Sequence, residues 1–376
     1  MKDYYCSAVD TGLFVSVNGN VGLCCSGLES LGTLRQEPVQ QIFQKNYFVQ
    51  LQQDIKNNKF NRYCLNCYHI ELKAPGSSQQ AAFNTQFKRQ ESRKLKLIDI
   101  RWSNVCNLTC RYCNTNDSSE WRKIRNLPIE SVNRDYTESL FKLIEENIDT
   151  IECVYLLGGE PLLQKHNVRL LNMLPKHIKI DVLTNCSVDL TNNPVYEKLL
   201  EFKNTYWNLS FDNVDDRFEY VRSGGDWLLL CSNIKKLKKD FTQNNVTLHP
   251  LYTIFNATRL KELYEFASSQ GNLKVNWQLG LPNVDESILP TDSFLIFGHN
   301  EQIKNLAIQE IDRLGLNDNF LIGIKQSLSK DIEDPTKSKR FIEWIDQMEQ
   351  IVIPKYSFKD LWPELNILLK IGRAHV

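Results

Sequence analysis

The stretch CNLTCRYC places Cys106, Cys110 and Cys113 at CxxxCxxC spacing. Thiolates so arranged can hold three irons of a cubane [4Fe–4S] cluster, whereas tetrahedral structural zinc ordinarily takes four protein ligands. Three donors leave one corner of the cubane open to a further ligand. Cys6, Cys24, Cys25, Cys64 and Cys67 form a second group near the start. Cys6, Cys64, Cys67 and one of Cys24 or Cys25 make four thiolates, enough to close either an iron–sulfur cluster or a zinc site. Cys153, Cys186 and Cys231 stand alone and read as small buried hydrophobes. The six histidines, among them His69, His166 and His249, lack ligand spacing of the HExxH kind and receive no chemistry.

These side chains need a scaffold, and the pattern beyond residue 94 alternates strand with helix. LKLIDIRW (95–102), IECVYLL (151–157), IKIDVLT (178–184), TYWNLSF (205–211), VTLHPLYTI (246–254) and LKVNWQL (273–279) read as strands. Between them, YTESLFKLIEENI, PVYEKLLEF, DWLLLCSNIKKLKKDF and ATRLKELYEFASS repeat apolar residues every three to four positions. Such alternation predicts a parallel sheet with crossover helices. Six units fall short of a full eight-stranded barrel. Pro250 cannot donate to a ladder, so the fifth strand should bulge or lie at an edge. The cysteine triplet follows the first strand directly.

Ahead of this array, GLFVSV and VGLCC flank Asn18-Gly19-Asn20, a hairpin signal. Pro38 suits the first turn of a helix that Val39, Ile42, Phe43, Phe48 and Leu51 carry to about Lys56, ahead of CLNC at 64–67. Polar residues 73–94, opening Pro-Gly-Ser-Ser, read as a connection between domains. After Pro282 the chain turns helical, with EQIKNLAIQEIDRL and RFIEWIDQMEQI, and no internal repeat is visible. Residues 371–376, IGRAHV, match the translation of a common sequencing-library adapter and are set aside as a scar.

Composition bounds the function. The 376 residues allow two to three domains; 42% hydrophobic, 24% charged and 10% aromatic content is that of a folded chain. Lys+Arg 45 cancels Asp+Glu 45, so no overall field steers the protein towards nucleic acid or an anionic membrane. Neither a signal core nor a bilayer-long apolar run is present, and a cytoplasmic protein without nucleic-acid or membrane partners is expected. Eleven cysteines are too few for a small disulfide scaffold and point to metal in a reducing compartment.

From Leu95 to about Pro282 the chain resembles the radical S-adenosylmethionine (radical SAM) superfamily, whose signature is this triplet at the end of the first strand. Gly158-Gly159-Glu160-Pro161 resembles the family's GGEP element, whose backbone and carboxylate bind the SAM amino group. A phosphate loop is a poor alternative, since no Lys follows and the carboxylate repels an anion. Thr184 and Asn185 after the third strand, and Ser210 and Asp212 after the fourth, resemble SAM-pocket elements. Arg222 resembles the arginine that pairs with the SAM carboxylate, and Tyr112 the aromatic residue near adenine. Trp102 and Trp207 read as core or pocket wall. The segment from Cys6 through CLNC resembles a twitch or SPASM auxiliary-cluster segment placed ahead of the barrel.

The resemblance implies an α/β fold: a partial (β/α)6 TIM-like barrel with a small cysteine-rich α+β segment before it and a helical region after it. The expected division is 1–72 auxiliary segment, 73–94 linker, 95–285 barrel and 286–370 helical region. It also implies reductive cleavage of SAM to methionine and a 5′-deoxyadenosyl radical, which abstracts hydrogen from a substrate. The electron would come from an external donor such as flavodoxin or ferredoxin. Auxiliary-cluster relatives often modify peptides, so a peptide or protein side chain is the expected substrate; a small metabolite, nucleoside or sugar, and a non-catalytic iron–sulfur or zinc sensor, are the alternatives. Cys186, just past Thr184-Asn185, is the candidate hydrogen-atom donor among the isolated cysteines.

Overall fold

The computed structural model describes residues 3–129, 134–280 and 292–371. Its strands are β1 (Gly12–Val15), β2 (Asn20–Gly22), β3 (Gly32–Thr33), β4 (Leu97–Ile100), β5 (Cys153–Leu156) and β6 (Lys179–Thr184). They continue with β7 (Asn204–Leu209), β8 (Val246–Leu248), β9 (Leu251–Tyr252), β10 (Lys274–Val275) and β11 (Gln278–Leu279). The large sheet runs β10-β8-β7-β6-β5-β4-β1-β2-β3. From β4 to β10 every pairing is parallel, with helices in the connections, so the core is the partial (β/α)6 barrel.

Apolar residues build these strands by alternation with the helices that cover them. Ile98, Ile180, Val182, Trp207 and Leu209 are buried outward-facing positions packed beneath Leu140, Phe141, Leu170, Ile234 and Leu237. Trp102 stacks on Phe141 with ring centroids 4.8 Å apart and donates its indole N–H to Asn167 Oδ1 at 3.1 Å, which makes it core. Trp207 is core as well.

Pro250 acts as expected, and its effect reaches further. The fifth unit breaks at His249-Pro250 into β8 and β9, and the sixth breaks beside it into β10 and β11, with β9 and β11 paired as a separate parallel ribbon. The Pro250 carbonyl still accepts from Gln278 N at 2.9 Å, so the missing donor bends the ladder without ending it.

The hairpin forms as β1–β2, with Gly19 at φ 84° closing the turn. Yet β1 lies parallel beside β4, pairing Gly12 with Leu97 through Val15 with Ile100, so the cysteine-rich segment and the barrel share one sheet. The helix expected from Pro38 to Lys56 is two, Val39–Ile42 and Asn46–Lys56. The linker expected at 73–94 is also corrected: it contains a helix, Gln79–Gln86, capped by Ser78 Oγ accepting from Ala81 N. Asn84 Oδ1 accepts from Ser7 N, and Gln80 Nε2 donates to the Tyr5 carbonyl at 2.7 Å. Such tertiary bonds hold a sequence with little apolar periodicity in a helix.

Helices 301–314, 319–328, 337–351, 358–361 and 363–371 follow the barrel as expected. The expected barrel end at 285 and residues 372–376 of the adapter-like tail lie outside the described residues. No helix among the described residues is long and apolar enough to cross a membrane.

Candidate active site

The loop after β4 carries the triplet, and backbone bonds fix its course. Thr109 N donates to Ser223 O and Arg111 N to Val221 O, both at 2.8 Å; Trp121 Nε1 donates to Cys110 O at 3.0 Å. Arg111, inside the motif, turns away from it. Its buried guanidinium donates to the carbonyls of Tyr220 (3.2 Å), Met348 (2.8 Å) and Val352 (3.0 Å), tying the loop to the C-terminal helices.

The GGEP turn closes on the same loop. Gly158 sits at φ 125°, and a Cβ on Gly159 would stand 2.3 Å from the Val105 carbonyl oxygen, so only glycine admits this approach. Glu160 N donates to Val105 O at 2.7 Å. The Glu160 carboxylate is fully buried and accepts from Thr184 Oγ1 (2.7 Å), Asn185 N (2.9 Å) and Leu162 N (3.1 Å). Burial pushes it up to about 7, against the pull of those bonds. The carboxylate thus braces the strand end, and the Gly158 and Gly159 backbones line the cavity.

That cavity has a volume of about 540 Å³ and opens at the carboxyl ends of the strands. All three triplet cysteines line it, with Tyr112, Asn185, Ser210 and Arg222. Asn185 Nδ2 reaches Asn107 Oδ1 at 2.8 Å and lies 3.8 Å from Cys106 Sγ. Pro161, Thr184 and Asp212 sit behind the wall. Asp212 is a brace: one oxygen accepts from Leu251 N at 2.9 Å, while the other takes the Tyr112 hydroxyl and stands 2.8 Å from Arg222 Nε. Burial opposes the Arg222 charge, but Asp212 beside it outweighs that and holds the guanidinium above its usual range.

Cys186 is elsewhere. It is wholly buried in the core at φ 53°, its backbone N–H bonded to Thr184 Oγ1 at 3.0 Å, and it is not on the cavity wall. Its expected role as hydrogen-atom donor is therefore corrected to packing.

Sequence reasoning missed the lower wall. Arg101, Tyr155, Lys179, Asp181, Asn208, His249, Asn276 and Gln278 all face the cavity. Their signal was period-two polarity within apolar strands, as in Lys179-Asp181 or Asn276-Gln278. His249, passed over above, lies 3.3 Å from Asn276 Nδ2 through Nδ1; burial lowers it to about 4, leaving a neutral imidazole at pH 7.

A separate small pocket gathers Cys6, Cys24, Cys64 and Cys67 against Tyr63 and Ile55, while Cys25 lines the large cavity. Burial pushes the Cys64 thiol up to about 12, with neighbouring Cys67 adding to it, and Cys24 is raised likewise. Thiolates crowded in this way need cationic charge among them, which iron supplies. Among the described residues, no three or more His, Cys, Asp and Glu side chains stand at the spacing of a single metal ion. In the upper cavity, the Cys106 thiol is likewise pushed up to about 12 by burial and by Cys110, and Arg222 Nε, although ion-paired, makes no aligned hydrogen bond. Three thiols and a guanidinium around one cavity suit a three-cysteine cluster with an anionic ligand; four thiols in the smaller pocket suit a closed one.

The family model of the Radical SAM superfamily matches residues 100–267, and that of an iron–sulfur cluster-binding domain, SPASM, matches residues 6–68. Together the two matches are those of a radical SAM protein with a SPASM-like segment ahead of its barrel. The radical SAM domain implies a [4Fe–4S] cluster and SAM, and the SPASM domain an auxiliary iron–sulfur cluster. Among curated proteins, this chain is 27% identical over 165 residues to a 7-carboxy-7-deazaguanine synthase of Clostridium acetobutylicum, covering 42% of this chain and 67% of the relative. It is 24% identical over 196 residues to a probable GTP 3′,8-cyclase of Archaeoglobus fulgidus, covering 51% and 62%. Among solved structures it is similar to anSMEcpe with bound AdoMet (18% identity, TM-score 0.45, 62% of this chain and 60% of that one). SuiB of Streptococcus suis bound to precursor peptide SuiA compares at 18% identity and TM-score 0.42, covering 62% and 51%. The chain thus spans about three fifths of the length of most of these relatives.

Proposed function

We propose that this chain reductively cleaves SAM in the 540 Å³ cavity and uses the radical to take hydrogen from a peptide or protein side chain. The observation that carries the reading is the meeting of Cys106, Cys110 and Cys113 with Gly158-Gly159 and Arg222 around one cavity at the strand ends. The bound cluster and SAM supply the electron transfer and the radical. The chain's own residues do the positioning. Arg222 offers a guanidinium to the SAM carboxylate, the Gly158–Gly159 backbone to its amino group, and Tyr112 a ring to its adenine. Cys6, Cys24, Cys64 and Cys67 would hold the auxiliary cluster, and a flavodoxin- or ferredoxin-type protein would serve as the electron donor.

A second substrate reading, a small polar metabolite, is supported by the two curated relatives, whose names are those of deazaguanine and GTP enzymes. The polar lower wall accommodates either. Anaerobic iron and sulfide reconstitution, followed by reduction with SAM, should yield 5′-deoxyadenosine, and replacing the three triplet cysteines by alanine should abolish it. Stimulation of that product by a peptide encoded beside this gene supports the first reading; stimulation by GTP or another purine supports the second.

A further inference from the structure

Cys24 and Cys25 are consecutive, so their Cα atoms lie only ~3.8 Å apart. They nevertheless serve different cavities. Cys24 joins Cys6, Cys64 and Cys67 in the small pocket, and Cys25 faces the large one together with the Cys106–Cys110–Cys113 triplet. Four thiols are the full donor set of a closed cluster, so under the proposed function Cys25 is left over as a thiol on the wall of the chamber.

Its surroundings also point to a ligand. Arg101 shares that wall, and behind it Asp99, 2% exposed, has no hydrogen bond on either carboxylate oxygen; its ion pair with Arg101 is long, at 3.5 Å. Arg101 Nε, on the wall itself, is likewise buried without a hydrogen bond, and it calls for an acceptor from something bound beside it. Tyr155 and Asp181 complete this side of the lumen.

We propose that Cys25 is a catalytic thiol that gives its hydrogen atom to a carbon radical in the large cavity. The inference rests on the reading of that cavity as the place where SAM is cleaved. An S–H bond is weaker than an ordinary C–H bond, so the transfer runs downhill. The carbon radical gains the hydrogen to become a closed-shell C–H, and Cys25 is left as a thiyl radical. One electron from an external one-electron donor of the flavodoxin or ferredoxin class and one proton from water restore the thiol. A turnover ended in this way consumes two electrons, one for SAM and one for the thiyl, and leaves the substrate with no net oxidation.

Two measurements on the reconstituted full chain test this. Anaerobic alkylation with iodoacetamide and peptide mass spectrometry should find Cys25 modified and Cys24 protected, and Cys25→Ser should keep its full iron content where Cys24→Ser loses about four irons per chain. Protection of Cys25, or iron loss in Cys25→Ser, overturns the proposal. The second is SAM cleavage in D2O without substrate, where the thiol carries deuterium. The 5′-deoxyadenosine formed should carry one deuterium in the wild type and in Tyr155→Phe, and none in Cys25→Ser. Deuterium that persists in Cys25→Ser, disappears in Tyr155→Phe, or is missing from the wild type overturns it. A wild type that makes no 5′-deoxyadenosine at all fails the SAM-cleavage reading itself, and the proposal with it.

Discussion

Arg222 Nε stands 2.8 Å from the Asp212 carboxylate, and both residues are buried. Asp212 also takes the Tyr112 hydroxyl, so one carboxylate aims both the guanidinium and the ring that face the cavity. Removing one partner of a buried pair leaves the other charge uncompensated, at about 3–5 kcal/mol. Arg222→Ala should lower stability by that order in urea unfolding and weaken SAM binding. Asp212→Asn should do the same while leaving the guanidinium in place but misaimed. Unchanged SAM affinity in both would remove Arg222 from the pocket.

Gly159 has no room for a side chain, because its Cβ would meet the backbone carbonyl oxygens of Val105 and Asn104 at 2.3 and 2.5 Å. Backbone cannot swing aside as a flexible side chain can. Gly159→Ala should push the GGEP turn off the cluster loop and reduce iron retained after reconstitution by more than half. Full iron retention would show that the loop tolerates the shift.

Much of this was legible in the sequence. The triplet's place after the first strand, all six strand starts to within two residues and the helix at 301–314 follow from spacing and periodicity, and the GGEP turn from the family resemblance. Two things were not. Which of Cys24 and Cys25 faces which cavity depends on β1 lying beside β4, a long-range pairing that local pattern does not encode. The helix at 79–86 is held by Gln80 and Asn84 reaching Tyr5 and Ser7, polar contacts invisible to hydrophobic periodicity. The lower wall was readable in principle: polar residues two apart in an apolar strand point into a lumen.

Glu160 gives a pH dependence whose sign is definite. Burial raises it from 4.5 in the free chain to about 7, so the folded state holds its proton more tightly than the unfolded state. Stability from this group is therefore full below about pH 4.5 and falls as pH rises towards 7, by up to about 3 kcal/mol. Glu160→Gln should flatten that stretch of the stability–pH curve in the cofactor-free protein. An unchanged slope would mean that the three hydrogen bonds fully offset burial.

Arg111 is spent on three carbonyls of the helix 215–221 and the helix 337–351 region. Arg111→Met keeps much of the volume but strands those acceptors, each at about 1–3 kcal/mol. Amide hydrogen exchange across 337–351 should accelerate, while exchange in β5 and β6 stays slow. Equal acceleration everywhere would mean global destabilisation rather than release of the C-terminal helices.

The central claim is that Cys106, Cys110 and Cys113 hold a cubane with one corner open to SAM. Electron paramagnetic resonance of the reduced, reconstituted protein before and after SAM addition tests it most directly. A SAM-dependent change in the cluster signal, absent from the Cys106→Ala/Cys110→Ala/Cys113→Ala variant while the auxiliary signal persists, is the predicted result. A spectrum indifferent to SAM, or a SAM response that survives in the triple variant, would contradict it.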